Sequence, residues 1–108
     1  MQGLMMNRPL SIIDILKYAA EAHSDAGIVS ARTEGDIHRQ SYVETLGRVG
    51  QLAHALCGLG IAPGDRVATL AWNGYRHFEL YYAVSGIGAV CHTINPRLSA
   101  DQMIYIVN

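Results

Sequence analysis

The sequence has little lysine, little cysteine and no excess of positive charge. Lys17 is its single lysine, and eight basic residues are balanced by nine acidic ones, for a formal net charge of -1. Nucleic acids and anionic lipid surfaces bind dense basic fields, which this composition does not supply. A phosphate-binding P-loop needs a lysine directly after a glycine-rich turn, and Lys17 does not lie in one. We therefore expect no nucleic-acid partner and no P-loop.

Only two cysteines are present, Cys57 and Cys91, which is too few for a disulfide framework. The apolar stretch after residues 1–9 is interrupted by Ser11 and Asp14, so it does not form the core of a signal peptide. We therefore expect a cytoplasmic protein in which both cysteines are reduced and buried as small apolar side chains.

Long hydrophobic runs are also absent. The most apolar stretch, 80–91, has about a dozen residues, whereas a transmembrane helix needs roughly 20. Half of the residues are nevertheless hydrophobic, which is too many for a disordered chain. We expect residues 1–108 to form a single domain with a hydrophobic core and no transmembrane segment.

Apolar residues recur at helical spacing in four segments, which predicts helices over 12–23, 42–58, 75–86 and 100–108. Ser41 and Ser99 are each followed three residues later by Glu44 or Gln102, a pattern typical of a capping box. Ser11 is the predicted N-cap of the first helix. The third helix is apolar on nearly all sides, which predicts burial by several neighbours. The last helix has no terminating glycine or proline, so we expect the chain to continue.

Four short segments are predicted to be strands. Segments 27–32 and 36–40 flank a polar turn at Gly35, which predicts a hairpin. Segments 67–71 and 89–94 are continuous apolar runs suited to cover on both faces, and they flank the third helix. A strand, a helix and a strand in this length predict neighbouring parallel strands with a right-handed crossover. The fold class is therefore α/β, with a βαβ unit, a short parallel sheet and a hairpin.

Residues with metal-binding or acid–base chemistry form no convincing site. His54 and Cys57 share a predicted helix, but Cys91 and His92 are neighbours in a strand and point to opposite faces, which disfavours a zinc site. The closest carboxylates, Glu34 and Asp36, flank the polar turn, where a solvated loop is favoured over acid–base catalysis.

Aromatic residues cluster after the first parallel strand. They could line an apolar cavity, although core packing is the commoner role of such a cluster: Trp72, Tyr75, His77, Tyr81 and Tyr82. The glycines of 58–64 and 86–88 follow helices, so they are caps and turns instead of a dinucleotide site. Ser85 lies inside a predicted helix and lacks the glycine that a nucleophile elbow requires. We assign no catalytic, cofactor-binding or metal-ligating residue to this segment.

Several short motifs follow one another from residue 41 onward. They are SY at 41–42, LAHAL at 52–56, LGI at 59–61, GDRVA at 64–68, Asn73, GAV at 88–90, NPRL at 95–98 and YI at 105–106. Their order and spacing over 41–107 resemble the opening of the acyl-CoA synthetases of the adenylate-forming superfamily. Segments 64–73 and 88–108 look most like the long-chain fatty acyl-CoA synthetase branch.

This resemblance implies that residues 1–108 are the N-terminal, partial portion of the large AMP-binding domain of a longer ligase. Such enzymes use ATP and Mg2+ to convert a fatty acid to an acyl adenylate, and then transfer the acyl group to coenzyme A. The family's phosphate loop, its adenine and ribose motifs and its catalytic lysine come later in the chain. The resemblance therefore implies ATP, Mg2+ and CoA for the full-length enzyme, and no catalytic residue or cofactor in this segment.

Two interpretations remain open at this point. The chain is either the N-terminal part of a long-chain fatty acid–CoA ligase or a stand-alone, non-catalytic structural or oligomerisation module. In the first case its partners are the remainder of the enzyme and another copy of itself, because the resemblance implies dimerisation through the N-terminal region. We therefore expect this chain to form a homo-oligomer that is inactive by itself. We expect the full-length enzyme to be cytoplasmic and peripheral at the membrane.

Overall fold

The computed structural model describes residues 3–108 and alternates helices with strands. In chain order its elements are α1 (Ile12–Ala22), β1 (Gly27–Ala31), β2 (Ile37–Ser41), α2 (Tyr42–Gly58), β3 (Arg66–Leu70), α3 (Tyr75–Gly86), β4 (Val90–Ile94) and α4 (Ala100–Val107). Strands β1 and β2 pair antiparallel. Strands β3 and β4, which precede and follow α3 in the chain, pair in parallel. The predicted α/β class, the hairpin and the parallel pair are confirmed.

Two glycines give the hairpin its shape. Gly35 has a φ of 94° at the turn, in the left-handed region that favours glycine. Gly27, at the other end, pairs with Ser41. A Cβ atom added at Gly27 would lie 2.1 Å from the carbonyl oxygen of Gln40. The close approach of β1 to the end of β2 therefore requires glycine at this position.

Helices α2 and α4 begin with capping boxes, as predicted. The Ser41 hydroxyl accepts a hydrogen bond from the Glu44 amide at 3.1 Å, and the Glu44 carboxylate accepts one from the Ser41 amide at 2.7 Å. Ser99 and Gln102 form the same capping box at α4. Ser11 is the N-cap of α1, as predicted, although its side chain makes no capping hydrogen bond. The Asp14 carboxylate in that first turn instead forms ion pairs on the helix surface.

The hydrophobic core lies between the first three helices and one face of the parallel sheet. Its buried members are Leu16, Val49, Leu56, Ala83, Val84 and Ala89. Helix α3 occupies the centre, in contact with α1, α2, β4 and β1. Five of its side chains are buried, which confirms the predicted burial on several sides.

Within residues 3–108 the parallel sheet is covered on only one face, and the prediction that its strands suit cover on both faces stays a prediction for the full-length enzyme. Val67 and Cys91 are partly buried and pack against the core. Leu70 and Val90 lie on the opposite face and are 58% and 50% exposed. Helix α3 contacts β4, and within residues 3–108 the face that carries Leu70 and Val90 stays largely open.

The two cysteines differ in exposure. Cys91 is half-buried in β4, and burial raises the pKa of its thiol. The prediction of burial is wrong for Cys57, which is exposed. Leu56 points into the core from the last turn of α2, and the next residue along a helix turns away from that face. Within the described part of the chain, no helix combines the length and apolar character needed to cross a membrane.

Candidate functional site

The carboxyl ends of β3 and β4 open into a cleft of about 410 Å3. Ligands of open α/β sheets bind at this edge, beyond the ends of the parallel strands. The cleft is lined by Trp72 and Asn73 after β3, by His77 and Tyr81 of α3, and by residues 93–97 at the end of β4. This is the candidate functional site.

His77 forms the inner wall of the cleft and is 6% exposed. Its Nε2 atom lies 2.9 Å from the Thr69 hydroxyl oxygen, and its ring centroid is 4.8 Å from that of Tyr81. Its other ring nitrogen, Nδ1, is buried without a hydrogen-bond partner among residues 3–108. Buried polar atoms are nearly always hydrogen-bonded, so this nitrogen marks His77 as a candidate binding residue.

Arg97 lies at the outer wall. Its guanidinium carbon is 5.5 Å from the Trp72 ring centroid, a cation–π arrangement. Its amide donates a hydrogen bond to the Asn95 side-chain oxygen at 3.0 Å, within the Asn95-Pro96 turn that ends β4. The turn therefore fixes the position of the arginine relative to the cleft.

The predicted aromatic cluster divides into two groups. Tyr75 stacks on His38 with ring centroids 3.8 Å apart, and Tyr82 packs against Phe78 at 4.9 Å. These two tyrosines are packing residues, the role expected of the whole cluster. The other three members of the cluster line the cleft: Trp72, His77 and Tyr81.

A buried polar network behind the cleft was not predicted. Glu79 of α3 is 4% exposed. Its carboxylate accepts two hydrogen bonds from Arg48 of α2, at 2.6 and 3.0 Å, and one from the Gln40 amide of β2 at 3.0 Å. The bonds to Glu79 raise the pKa of Arg48. The one signal in the sequence was an acidic residue in the middle of a helix predicted to be buried on several sides.

The turn carboxylates form ion pairs on the hairpin surface. Glu34 lies 2.9 Å from Arg76, and Asp36 pairs with Arg32. Hydrogen bonding lowers the pKa of both carboxyl groups, for Glu34 chiefly from its own backbone and for Asp36 from the Arg32 side chain. Neither carboxylate lines the cleft at the strand ends. Their arrangement fits a solvated turn stabilised by ion pairs.

The cleft offers no ligands suited to Mg2+, which prefers carboxylate oxygens. None of its lining residues is acidic, and the single lysine is on α1. Across residues 3–108, no three histidine, cysteine or acidic side chains lie close enough together to hold a metal ion. The residues present therefore do not fit a Mg2+–ATP site. The assignment of no catalytic residue to this segment stays a prediction.

A family model for AMP-binding enzymes matches residues 16–108. The chain belongs to the AMP-binding enzyme family. It is 47% identical over 108 residues to the 3-methylmercaptopropionyl-CoA ligase of Ruegeria lacuscaerulensis, covering 100% of this chain and 20% of that protein. It is 45% identical over 104 residues to a long-chain-fatty-acid–CoA ligase of Thermus thermophilus, covering 96% of this chain and 19% of the relative.

The fold agrees with this membership of the AMP-binding family. The structure matches the N-terminal domain of FACL13 from Mycobacterium tuberculosis with a TM-score of 0.81 and 30% identity, over 92% of this chain and 25% of that one. The chain thus spans about a fifth of the length of the two curated relatives. The resemblance to acyl-CoA synthetases stated from the sequence motifs is confirmed.

Proposed function

We propose that this chain is the N-terminal portion of the large domain of a fatty acid–CoA ligase. The observation that carries the proposal is the 47% identity to a CoA ligase through all 108 residues. An identity spread over the whole chain favours a segment of a ligase over a stand-alone structural module.

In the proposed reaction, a fatty acid carboxylate attacks the α-phosphorus of ATP, giving an acyl adenylate and pyrophosphate. The thiolate of coenzyme A then displaces AMP and forms the thioester. Mg2+ would neutralise the charge of the triphosphate during the first step. Because the described residues supply neither a Mg2+ ligand set nor a lysine at the cleft, we assign these steps to the remainder of the enzyme.

The substrate that we propose is a long-chain fatty acid, whose acyl group is transferred to coenzyme A. The two curated relatives are named for different acids, 3-methylmercaptopropionate and long-chain fatty acids, yet they have similar identities to this chain, 47% and 45%. This similarity supports a shared scaffold role for the N-terminal segment. Selection of the acyl chain would then depend on other parts of the ligase.

We also propose that the exposed apolar faces of this chain are covered by the rest of the enzyme and by a second copy. The open face of the parallel sheet suits the former. The outer face of α1 suits a homo-oligomer, because its apolar side chains Ile12, Ile15 and Tyr18 are each more than half exposed. We place the full-length enzyme in the cytoplasm, at times peripheral to membranes that contain its substrate.

A chimeric ligase tests the proposed function. In the Thermus thermophilus enzyme, the 104 aligned residues are replaced by this chain, and acyl-CoA formation is measured with fatty acids of increasing length. We expect the chimera to form acyl-CoA at a rate within tenfold of the parent, whereas the parent lacking the segment is inactive. A chimera that folds, as judged by circular dichroism, but forms no acyl-CoA with any acid would contradict the proposal.

A further inference from the structure

Strand β1 has a free edge. In an antiparallel ladder, hydrogen-bonded residue pairs alternate with pairs whose N–H and C=O groups point away from the partner strand. The Arg32 amide donates to the Asp36 carbonyl oxygen at 2.9 Å, and the Tyr42 amide donates to the Ala26 carbonyl oxygen at 3.1 Å. Because the two strands keep one register between these bonds, the bonds fix the alternation. The backbone groups that point away from β2 therefore belong to Gly27, Val29 and Ala31.

These outward backbone groups have no hydrogen-bond partner among residues 3–108. Strand β1 pairs only with β2 there, and no other backbone bond reaches its outward edge. Val29 is 58% exposed. Proteins protect exposed strand edges with charged side chains, proline or bulges, but the β1 sequence, GIVSA, contains no proline and no charged residue. An edge without such protection indicates that another strand pairs with it in the complete protein.

A groove of about 440 Å3 runs along this edge, and we call it the β1 groove. Residues 28–31 form one wall, and α3 with residues 73–74 before it forms the other. Side chains of consecutive strand residues point to opposite faces. A groove that touches four consecutive residues therefore follows the backbone edge of the strand. On the α3 wall it presents the aromatic rings of Phe78 and Tyr81.

We propose that the β1 groove holds one strand, which pairs with the free edge of β1 and comes from the part of the ligase outside residues 1–108. The origin of the strand rests on the proposed function. This chain spans about a fifth of the length of its curated relatives, so most of such an enzyme lies outside it. A two-stranded hairpin is only marginally stable, and a third strand stabilises it. The strand should carry apolar side chains toward Phe78 and Tyr81.

A second copy of this chain fits the β1 groove less well than a single strand does. Paired strands lie about 4.8 Å apart, and the groove is bordered by α3 on its other side. The β1 strand of another copy would bring its own β2 and its own α3 wall into this space. An extended segment with both edges free needs no such room. The geometry therefore favours a segment of the same enzyme.

Hydrogen exchange of single backbone amides tests the proposal, in the isolated chain and in the chimeric Thermus thermophilus ligase that contains it. In the isolated chain the Val29 and Ala31 amides should exchange rapidly. The Ser30 amide, which faces His38 in the ladder, should be protected in both proteins and is the internal control. In the chimera the Val29 and Ala31 amides should exchange at least tenfold more slowly. Equal exchange of Val29 in the isolated chain and in the folded chimera would overturn the proposal.

Two proline variants form a matched pair. Proline has no backbone N–H, so Val29→Pro removes only a donor that points away from β2, whereas Ser30→Pro removes a bond of the ladder. In the isolated chain Val29→Pro should melt close to the wild type, and Ser30→Pro several degrees lower. In the chimera both variants should melt several degrees lower. An unchanged melting temperature of the chimera with Val29→Pro would overturn the proposal.

The outcomes separate this inference from the proposed function. A folded chimera that forms no acyl-CoA but protects the Val29 amide would contradict the proposed function and support the pairing of β1. A chimera that forms acyl-CoA while the Val29 amide exchanges freely would do the reverse. Protection of Val29 in the isolated chain that appears only at high concentration would assign the β1 groove to a second copy and overturn the proposal.

Discussion

The guanidinium of Arg48 on α2 binds both carboxylate oxygens of Glu79 on α3, at 2.6 and 3.0 Å. The carboxylate is buried, whereas the arginine side chain is about half exposed. Gln40 of β2 donates a third hydrogen bond to the same carboxylate at 3.0 Å. The buried Glu79 carboxylate on α3 is thus bound by side chains of both α2 and the hairpin strand β2.

Removing the arginine should destabilise the chain more than removing the whole pair. Arg48→Met leaves the Glu79 carboxylate buried with only Gln40 as its partner, and the cost should be about 1–3 kcal/mol in the free energy of unfolding. The double variant Arg48→Met with Glu79→Met removes the buried charge as well, and its loss should be smaller. Urea unfolding followed by circular dichroism measures both. A single variant within about 0.5 kcal/mol of wild type would show that solvent screens this pair.

The two glycines Gly27 and Gly47 should respond in opposite directions to the same change. An alanine Cβ at Gly27 would meet the Gln40 carbonyl oxygen at 2.1 Å, whereas nothing lies within 4 Å of one at Gly47. Gly27→Ala should cost about 1–3 kcal/mol through strain in the hairpin. Gly47→Ala, inside α2, should stabilise by about 0.5–1 kcal/mol because alanine loses less backbone entropy. Thermal melts measure both effects: the melting temperature should fall in Gly27→Ala and rise in Gly47→Ala. Equal changes in melting temperature would contradict this prediction.

The capping box of α2 should make stability depend on pH. Its hydrogen bonds to Ser41, from the backbone amide first and then the hydroxyl, lower the pKa of Glu44 from 4.5. A carboxyl group with a lowered pKa in the folded state stabilises the fold above its unfolded value, and this contribution is lost as the pH falls through the folded value. Glu44→Gln removes the titration. Between about pH 5 and pH 3, the wild type should therefore lose more stability than the variant. Urea unfolding at each pH measures this, and an equal loss of unfolding free energy in the two proteins would refute it.

The sequence predicted local features well because they depend on neighbouring residues. The capping boxes at Ser41 and Ser99 and the turn at Gly35 each follow from a few adjacent residues, and all are present. The pairing of Arg48 with Glu79 joins residues 31 positions apart. No local pattern specifies such a partner, so the polar network behind the cleft could not be read from the sequence.

Burial was harder to predict than secondary structure. The apolar runs of β3 and β4 indicated cover on both faces, but periodicity does not reveal whether the covering residues belong to the same segment. His77 shows the same limit, because its position on α3 was clear while its unpartnered Nδ1 depends on how the hairpin and the sheet pack around it.

Exposed apolar surface should make the isolated chain self-associate. Several large apolar side chains on α1, the sheet and α4 are half exposed or more: Ile15, Tyr18, Leu70, Val90, Ile104, Tyr105 and Val107. Burying such surface gains roughly 25 cal/mol per Å2. Light scattering after size exclusion, at tens of micromolar, should show a species larger than one 11.8 kDa chain. A folded monomer that elutes as a sharp peak at that concentration would show that the exposed apolar surface does not drive self-association.

The central claim is that this chain is a scaffold segment of a CoA ligase without catalytic residues of its own. ATP–pyrophosphate exchange in the presence of a long-chain fatty acid tests it most directly, comparing the purified chain with the chimeric ligase that contains it. Exchange requires charge stabilisation at phosphorus by cations and oriented amides, which we assign to the remainder of the enzyme. The chain alone should give no exchange above buffer background, and the chimera should exchange at a measurable rate. Exchange by the chain alone, in a preparation free of host ligase, or none by a folded chimera, would contradict the claim.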